Sequence, residues 1–207
     1  VPGRKLKFLG VILNPKFYGK KKPAKDLRIK HGLSGTAPVI LIVGGGEGIV
    51  RYEAIVSSLL KKNLNADIVA ICGRNKKMHN ALRKYNHNTH TNIHAVGFIE
   101  NMDELLRLAS VFVGKAGPTS IAEALLLNVP MVITDYVYGQ EKGNVDYILK
   151  NKIGFFEKNG KKAAQIVEDI LNKKVRLNEG KDFRLDNDAV FAFRDEVLRY
   201  LYGRRRH

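Results

Sequence analysis

The sequence predicts an α/β fold, with a parallel sheet of about six strands flanked by helices. Three observations carry it. Short apolar runs recur from Val39 onward, stretches with helical apolar spacing separate them, and glycine-rich or polar clusters follow several of the runs directly. Strands buried on both faces read as continuous apolar runs, and an alternating βα order joins them in parallel.

Val39–Val43 reads as the first buried strand. Ile49–Lys62 then places Ile49, Tyr52, Val56, Leu59 and Leu60 at helical spacing. Asp67–Cys72 is the second strand, followed by a basic helix to about Tyr85. Ile93–Val96 is the third strand and Met102–Leu108 a short helix with Asp103 near its start. Val111–Val113 is the fourth strand. The next helix opens at Pro118, a residue suited to a first turn, and runs to about Leu127. Val129–Thr134 and Gly154–Phe156 bracket a helix over Lys142–Lys150, and helices near Lys161–Asn172 and Ala189–Tyr202 end the chain. Residues 1–37 are basic, carry Pro15 and Pro23, and read as a strand and linker segment. Residues 38–207 read as one ligand-binding domain with a C-terminal helix.

Composition narrows the function classes. Hydrophobic residues make up 44% of the 207, enough for a real core. No apolar run approaches the roughly 18–20 residues needed to span a bilayer, and the cleanest, Val39–Val43 and Ala122–Leu127, are short. Val1 is not an initiator Met, so the chain is expected to be part of a longer or processed polypeptide. The one cysteine, Cys72, excludes an internal disulfide and reads as a small core residue. Lys and Arg total 36 against 20 acidic residues, a net charge of +16 that points to a polyanionic partner. The basic runs Lys16–Lys25 and Arg204–Arg206 are not interleaved with aromatics as in a nucleic-acid-binding motif, and they read as contacts to an anionic membrane surface or phosphorylated substrates or, each alone, as a solvated surface. His87, His90 and His94 lie in an Asn-rich stretch with no Cys or carboxylate nearby, and read as loop histidines without a metal.

Three motifs stand directly after strands, where parallel sheets bind ligands. Gly44-Gly45-Gly46-Glu47-Gly48 follows the first. Its glycines permit a sharp turn and close backbone approach, and the next helix offers free N–H groups to a phosphate. Position 49 is Ile, and the second strand ends in Cys72-Gly73-Arg74 with no acid for a cofactor ribose, so a dinucleotide is disfavoured. A tight turn with no ligand is the alternative. The second motif is Lys115-Ala116-Gly117-Pro118-Thr119-Ser120, with Glu123 further into its helix. Gly117, Thr119 and Ser120 present amide and hydroxyl donors to a diphosphate, and Lys115 adds charge. An ionised Glu123 facing the cleft can accept both ribose hydroxyls. The third, Asp135-Tyr136-Val137-Tyr138-Gly139-Gln140-Glu141-Lys142-Gly143-Asn144, puts Gln140 and Asn144 on one helical face, where carboxamides suit sugar hydroxyls. Alone it also reads as a polar helix start. Together the three describe a site for a nucleoside diphosphate carrying a sugar.

The runs 44–48, Ile71-Cys72-Gly73-Arg74-Asn75-Lys76-Lys77, 115–124 and 139–144 resemble, in the same order and at similar spacing, the monogalactosyldiacylglycerol synthase family. The resemblance covers roughly Phe8 to Asn172. It implies a Rossmann-like domain, the C-terminal, donor-binding half of a GT-B glycosyltransferase of family 28. Carried over, it implies that Glu123 holds the ribose, and that Gly117, Pro118, Thr119 and Ser120 with Lys115 bind the diphosphate. Gln140 and Asn144, with Glu141, take the hexose, and Phe98 and Ile99 flank the uracil. Gly44, Gly45, Gly46 and Glu47 line the cleft, with Arg74 beside it. Arg51-Tyr52 stands where the family usually shows Gly-Pro. The family's catalytic base and acceptor groove lie in an N-terminal domain that this sequence lacks, so no catalytic residue is assigned.

The activity this implies is inverting transfer of galactose or glucose from a UDP-sugar to a lipid such as diacylglycerol, with no cofactor and no nucleic acid. The isolated half is expected to be inactive, and the expected location is peripheral, on the cytoplasmic face of a membrane (a plastid envelope for a plant-like source). A donor-binding subunit of a split two-subunit transferase, with the acceptor domain in trans, and a UDP-sugar epimerase are the alternatives.

Overall fold

A computed structural model describes residues 10–20, 22–33, 35–44, 52–85, 90–178 and 189–202. Six strands form one parallel sheet: β1 (Val39–Val43), β2 (Ala66–Ile71), β3 (Thr91–Val96), β4 (Ala109–Lys115), β5 (Met131–Asp135) and β6 (Gly154–Phe156). Their order is β3-β2-β1-β4-β5-β6, so the winding reverses between β1 and β4. Carboxyl ends of the strands at such a reversal form a crevice. Here the chain leaves β1 at Gly44 and β4 at Lys115, so the first two glycine-bearing motifs begin on its two sides.

The helices are α1 (Ala24–His31), α2 (Tyr52–Lys61), α3 (Lys76–Leu82), α4 (Met102–Leu108), α5 (Pro118–Leu126), α6 (Lys142–Lys150), α7 (Gly160–Leu171) and α8 (Ala189–Tyr202). Period-two alternation along β1 sends Val39 and Leu41 into one core and Ile40 and Ile42 into the other. The first core lies under α1, α4, α5 and α6, and the second under α2, α3 and α7. Burial on both faces explains why β1 is apolar at every position. Each of these side chains contributes about 1.5–3 kcal/mol by leaving water. On α8 only Ala189 is buried.

The stretch before the sheet holds a helix that its apolar pattern did not disclose. Its described residues hold a 3₁₀ turn at Pro15–Phe17, capped by Asn14, and then α1. Pro23 stands at the N-cap position, and Gly32 closes the helix in the left-handed region (φ 64°), its N–H bonded to the Arg28 and Ile29 carbonyls. Phe17, Leu27 and Leu33 join the first core, so these residues pack against the domain. The signal was the Pro23–Gly32 punctuation around one apolar residue per turn.

Glu104 of α4 fastens α1 in place. It is 5% exposed and accepts from Lys22 Nζ (2.8 Å), Lys30 Nζ (2.5 Å) and His31 Nε2 (3.0 Å). The Lys22 and Lys30 hydrogen bonds, aided by His31, outweigh burial and hold its carboxyl down at about 2. None of the described helices is long and apolar enough to cross a membrane.

Candidate functional site

α5 begins where β4 ends. Gly117 is its N-cap in extended conformation, and no side chain caps the helix. Pro118 lacks an N–H, so the first free donors are the amides of Thr119 and Ser120, while Ile121 N–H already reaches Gly117 O at 3.0 Å. No acidic residue occupies the first turn, so nothing in the helix neutralises the positive end of its dipole. This is the arrangement that receives phosphate at a helix N-terminus.

A methyl placed on Gly117 would lie 3.8 Å from Lys115 Nζ, 3.8 Å from Ser120 Oγ and 3.9 Å from Glu141 Oε1. Three polar groups from β4, α5 and the start of α6 therefore surround one small space over the Gly117 α-carbon. Lys115 Nζ donates to Glu141 Oε1 at 2.5 Å, and the other Glu141 oxygen accepts the Val137 N–H at 2.8 Å. Burial pushes the Glu141 carboxyl up, but the Lys115 and Val137 bonds outweigh it and hold it below the usual carboxylate range. Both Glu141 oxygens thus serve Lys115 and the β5–α6 turn, a positioning role that its place in the sequence did not disclose. Asn144 Nδ2 donates to Ala116 O at 2.8 Å, which ties α6 to the β4–α5 loop and leaves the amide oxygen available. Gln140, beside them, is exposed.

Glu123 lies four residues after Thr119 and three after Ser120, on the same helical face one turn behind them. It is half-buried, and its carboxylate makes no hydrogen bond or ion pair among the described residues. Burial, then the negative charge of Asp103 on α4, pushes its carboxyl up to about 7. Asp103 is a neighbour that the motifs had not singled out. Asp103 lies in the first turn of α4, which follows the β3–α4 connection. There Phe98 leaves the sheet with 70% of its surface exposed, while Ile99 packs against the first core.

At the β1 end, Gly44 N–H bonds to Ile71 O at 3.1 Å, and the buried Tyr52 donates its hydroxyl to Val43 O at 2.6 Å. Burial first, then the charge of Asp135, raises the Tyr52 pKa. Gly45, Gly46 and Glu47 lie outside the described residues. Arg74 is exposed after the left-handed Gly73 (φ 55°). Among the histidines, His94 is bonded to the buried Asp67 at 3.3 Å, His90 is exposed, and His87 lies outside the described residues. No group of three or more potential metal-ligating side chains gathers among the described residues. Cys72 is buried, its Sγ donating to Ala70 O at 3.6 Å.

The described residues thus make an α/β domain whose all-parallel sheet opens, at its winding reversal, towards the uncapped start of α5 and Lys115. Residues 39–181 match the glycosyltransferase family 28 C-terminal domain, and the chain belongs to that family. It is 36% identical over 176 residues to a probable chloroplastic monogalactosyldiacylglycerol synthase of Glycine max, covering 82% of this chain and 33% of the relative. It is 34% identical over 197 residues to monogalactosyldiacylglycerol synthase 1 of Arabidopsis thaliana, covering 90% and 37%. The chain thus spans about a third of the length of these relatives. In fold it is similar to MurG of Acinetobacter baumannii, with a TM-score of 0.65 at 18% identity over 86% of this chain and 53% of the other. The glycosyltransferase WaaG, involved in lipopolysaccharide biosynthesis, gives a TM-score of 0.61 at 18% identity over 93% and 55%. The fold is the C-terminal half of the GT-B architecture.

Proposed function

We propose that this chain binds the UDP-sugar donor of an inverting hexosyltransferase whose acceptor is a lipid hydroxyl, such as that of diacylglycerol. The observation that carries the reading is the pairing on α5 of an uncapped N-terminus with Glu123, a half-buried carboxylate without a hydrogen-bond or ion-pair partner among the described residues. Uracil rests by Phe98 with its edge on the Ile99 backbone, and the ribose hydroxyls donate to Glu123. The diphosphate takes the Thr119 and Ser120 amides and the Ser120 hydroxyl over Gly117, with Lys115 adding charge. The hexose lies against Asn144 and Gln140. Relatives named for a monogalactosyl lipid favour galactose over glucose.

In the transfer, the acceptor oxygen bonds to the sugar's anomeric carbon from the face opposite the diphosphate. The bond from that carbon to the β-phosphate oxygen breaks, and UDP departs with the electron pair. Helix amides and Lys115 stabilise that leaving charge without a metal. The acceptor proton passes to a base outside these residues, in an acceptor domain supplied in cis or in trans, and without it the chain binds donor but does not turn over. With a net charge of +16, the protein is held peripherally on an anionic membrane surface. Calorimetric titration of UDP into the chain tests the reading. Saturable binding, lost in Glu123→Ala, is expected, and equal binding by both proteins would overturn it.

A further inference from the structure

Beside the donor residues runs a groove of about 440 Å³, between residues 11–13 and helices α5 and α6. Its two ends differ in chemistry. Thr119 and Asn144 line it in the first turns of α5 and α6, next to the proposed diphosphate and hexose positions. Deeper along α5 the lining is Ile121, Ala122 and Leu125, and Leu125 lies about 9 Å beyond Thr119 at 1.5 Å per residue. Leu13 and Ile121 are buried in its wall, whereas Ile12 and Tyr147 at its rim stay 50% and 45% exposed. Apolar side chains left open beside a polar end are the complement of a molecule with a hydroxyl head and a hydrocarbon tail.

We propose that this groove takes an acyl chain of the lipid acceptor, so that the donor domain itself holds part of the second substrate. The inference rests on the donor reading above and adds to it. A head hydroxyl at the Thr119–Asn144 end lies next to the sugar position, and the tail runs down α5 towards Leu125. The groove then makes the chain sensitive to acyl length, by about four-fold in affinity for each methylene it buries.

Photolabelling tests this on the full chain, with dioctanoylglycerol carrying a diazirine near one acyl end. Label is expected within residues 11–13, 121–125 or at Tyr147, displaced by unmodified dioctanoylglycerol and not by glycerol. The rim variants Ile12→Ser and Tyr147→Ser, both at exposed positions, are expected to lower labelling at least five-fold while UDP titrations of the same samples stay unchanged. Label scattered over the surface, or undiminished in both variants, overturns the inference and leaves the groove to another occupant such as a protein segment. UDP binding without groove label overturns the inference alone. Groove label without UDP binding overturns the donor reading and, with it, the claim that the bound chain belongs to an acceptor.

Discussion

Two carboxylates on neighbouring helices have opposite surroundings. Glu104 on α4 points to α1, is almost wholly buried, and is met by two lysines and a histidine. Glu123 on α5 is half-buried and, among the described residues, is met by the field of Asp103 rather than by a cation. One carboxyl sits at about 2 and the other at about 7. A burial cost offset by protein partners is part of the fold. A burial cost left without a partner destabilises the domain, and it persists where a ligand supplies the missing donors. The contrast sets the acid held by protein partners apart from the acid proposed to bind ribose.

Removing each acid should therefore act in opposite directions. Glu104→Ala is expected to lower stability by about 3 kcal/mol, the low end for breaking a buried pair, because Lys22 and Lys30 can turn back into solvent. Its pH sign follows from a folded value of about 2 against an ordinary 4.5. The contribution is complete above 4.5 and is lost as pH falls towards 2. Denaturant melts at pH 7 and pH 3 measure this, and a variant gap no smaller at pH 3 would contradict it.

For Glu123 the folded value, about 7, lies above the ordinary 4.5. The native state holds the extra proton between those values, so stability falls as pH rises from 4.5 to 7 and then levels. Glu123→Gln should abolish that slope, raise stability by about 1–2 kcal/mol at pH 8, and weaken UDP by about 2 kcal/mol, or roughly 30-fold. In the unaltered protein UDP should bind more tightly as pH climbs through 7, because ribose hydroxyls donate to the ionised form. Calorimetry at pH 6 and pH 8 checks the sign. A variant both less stable and unchanged in UDP affinity would place Glu123 with Glu104 as structural.

Much of this frame was legible in the sequence. Val39–Val43, Met102–Leu108, Lys142–Lys150 and Gly154–Phe156 fall where the apolar period and turn residues put them. Strands buried on both faces and helices with one apolar stripe are written in local pattern. The misses are non-local. The helix at Ala24–His31 was hidden because it buries only Leu27 and takes its support from Glu104, more than seventy residues on. The part Glu141 plays in holding Lys115 was hidden, because a polar residue at a helix start reads alike whether it faces solvent or a lysine on another strand. Its bond to Lys115 crosses from β4 to α6 and leaves no local trace. Asp103, whose charge adds to burial in raising the Glu123 carboxyl, is likewise brought near only by packing.

The Lys115–Glu141 pair sharpens the contrast at smaller scale, since it belongs to both regions. Lys115→Met leaves the buried Glu141 without its cation and should cost about 1.5 kcal/mol of stability at pH 7, with weaker UDP binding besides. Adding Glu141→Gln should restore about 1 kcal/mol of stability without restoring affinity. A double variant that recovers both would show that the lysine acts only by holding the loop.

The smallest effect is the most discriminating. Gly117 has φ −66° and ψ 132°, which alanine adopts freely, and the three polar groups over its α-carbon stand 3.8–3.9 Å from an added methyl, an ordinary contact distance. Alanine is a poorer N-cap than glycine but loses less chain entropy on folding, and these terms oppose each other. Stability of Gly117→Ala should therefore stay within about 0.5 kcal/mol of the parent. The methyl would occupy the space between Lys115, Ser120 and Glu141 where a phosphate must approach the Thr119 and Ser120 amides, so UDP affinity should fall by about 1 kcal/mol, roughly five-fold. Uridine, which lacks the diphosphate, should bind the variant as it binds the parent. If uridine and UDP lose affinity equally, the diphosphate does not sit over Gly117. The α5 N-terminus then loses its role, although Glu123 would keep its own.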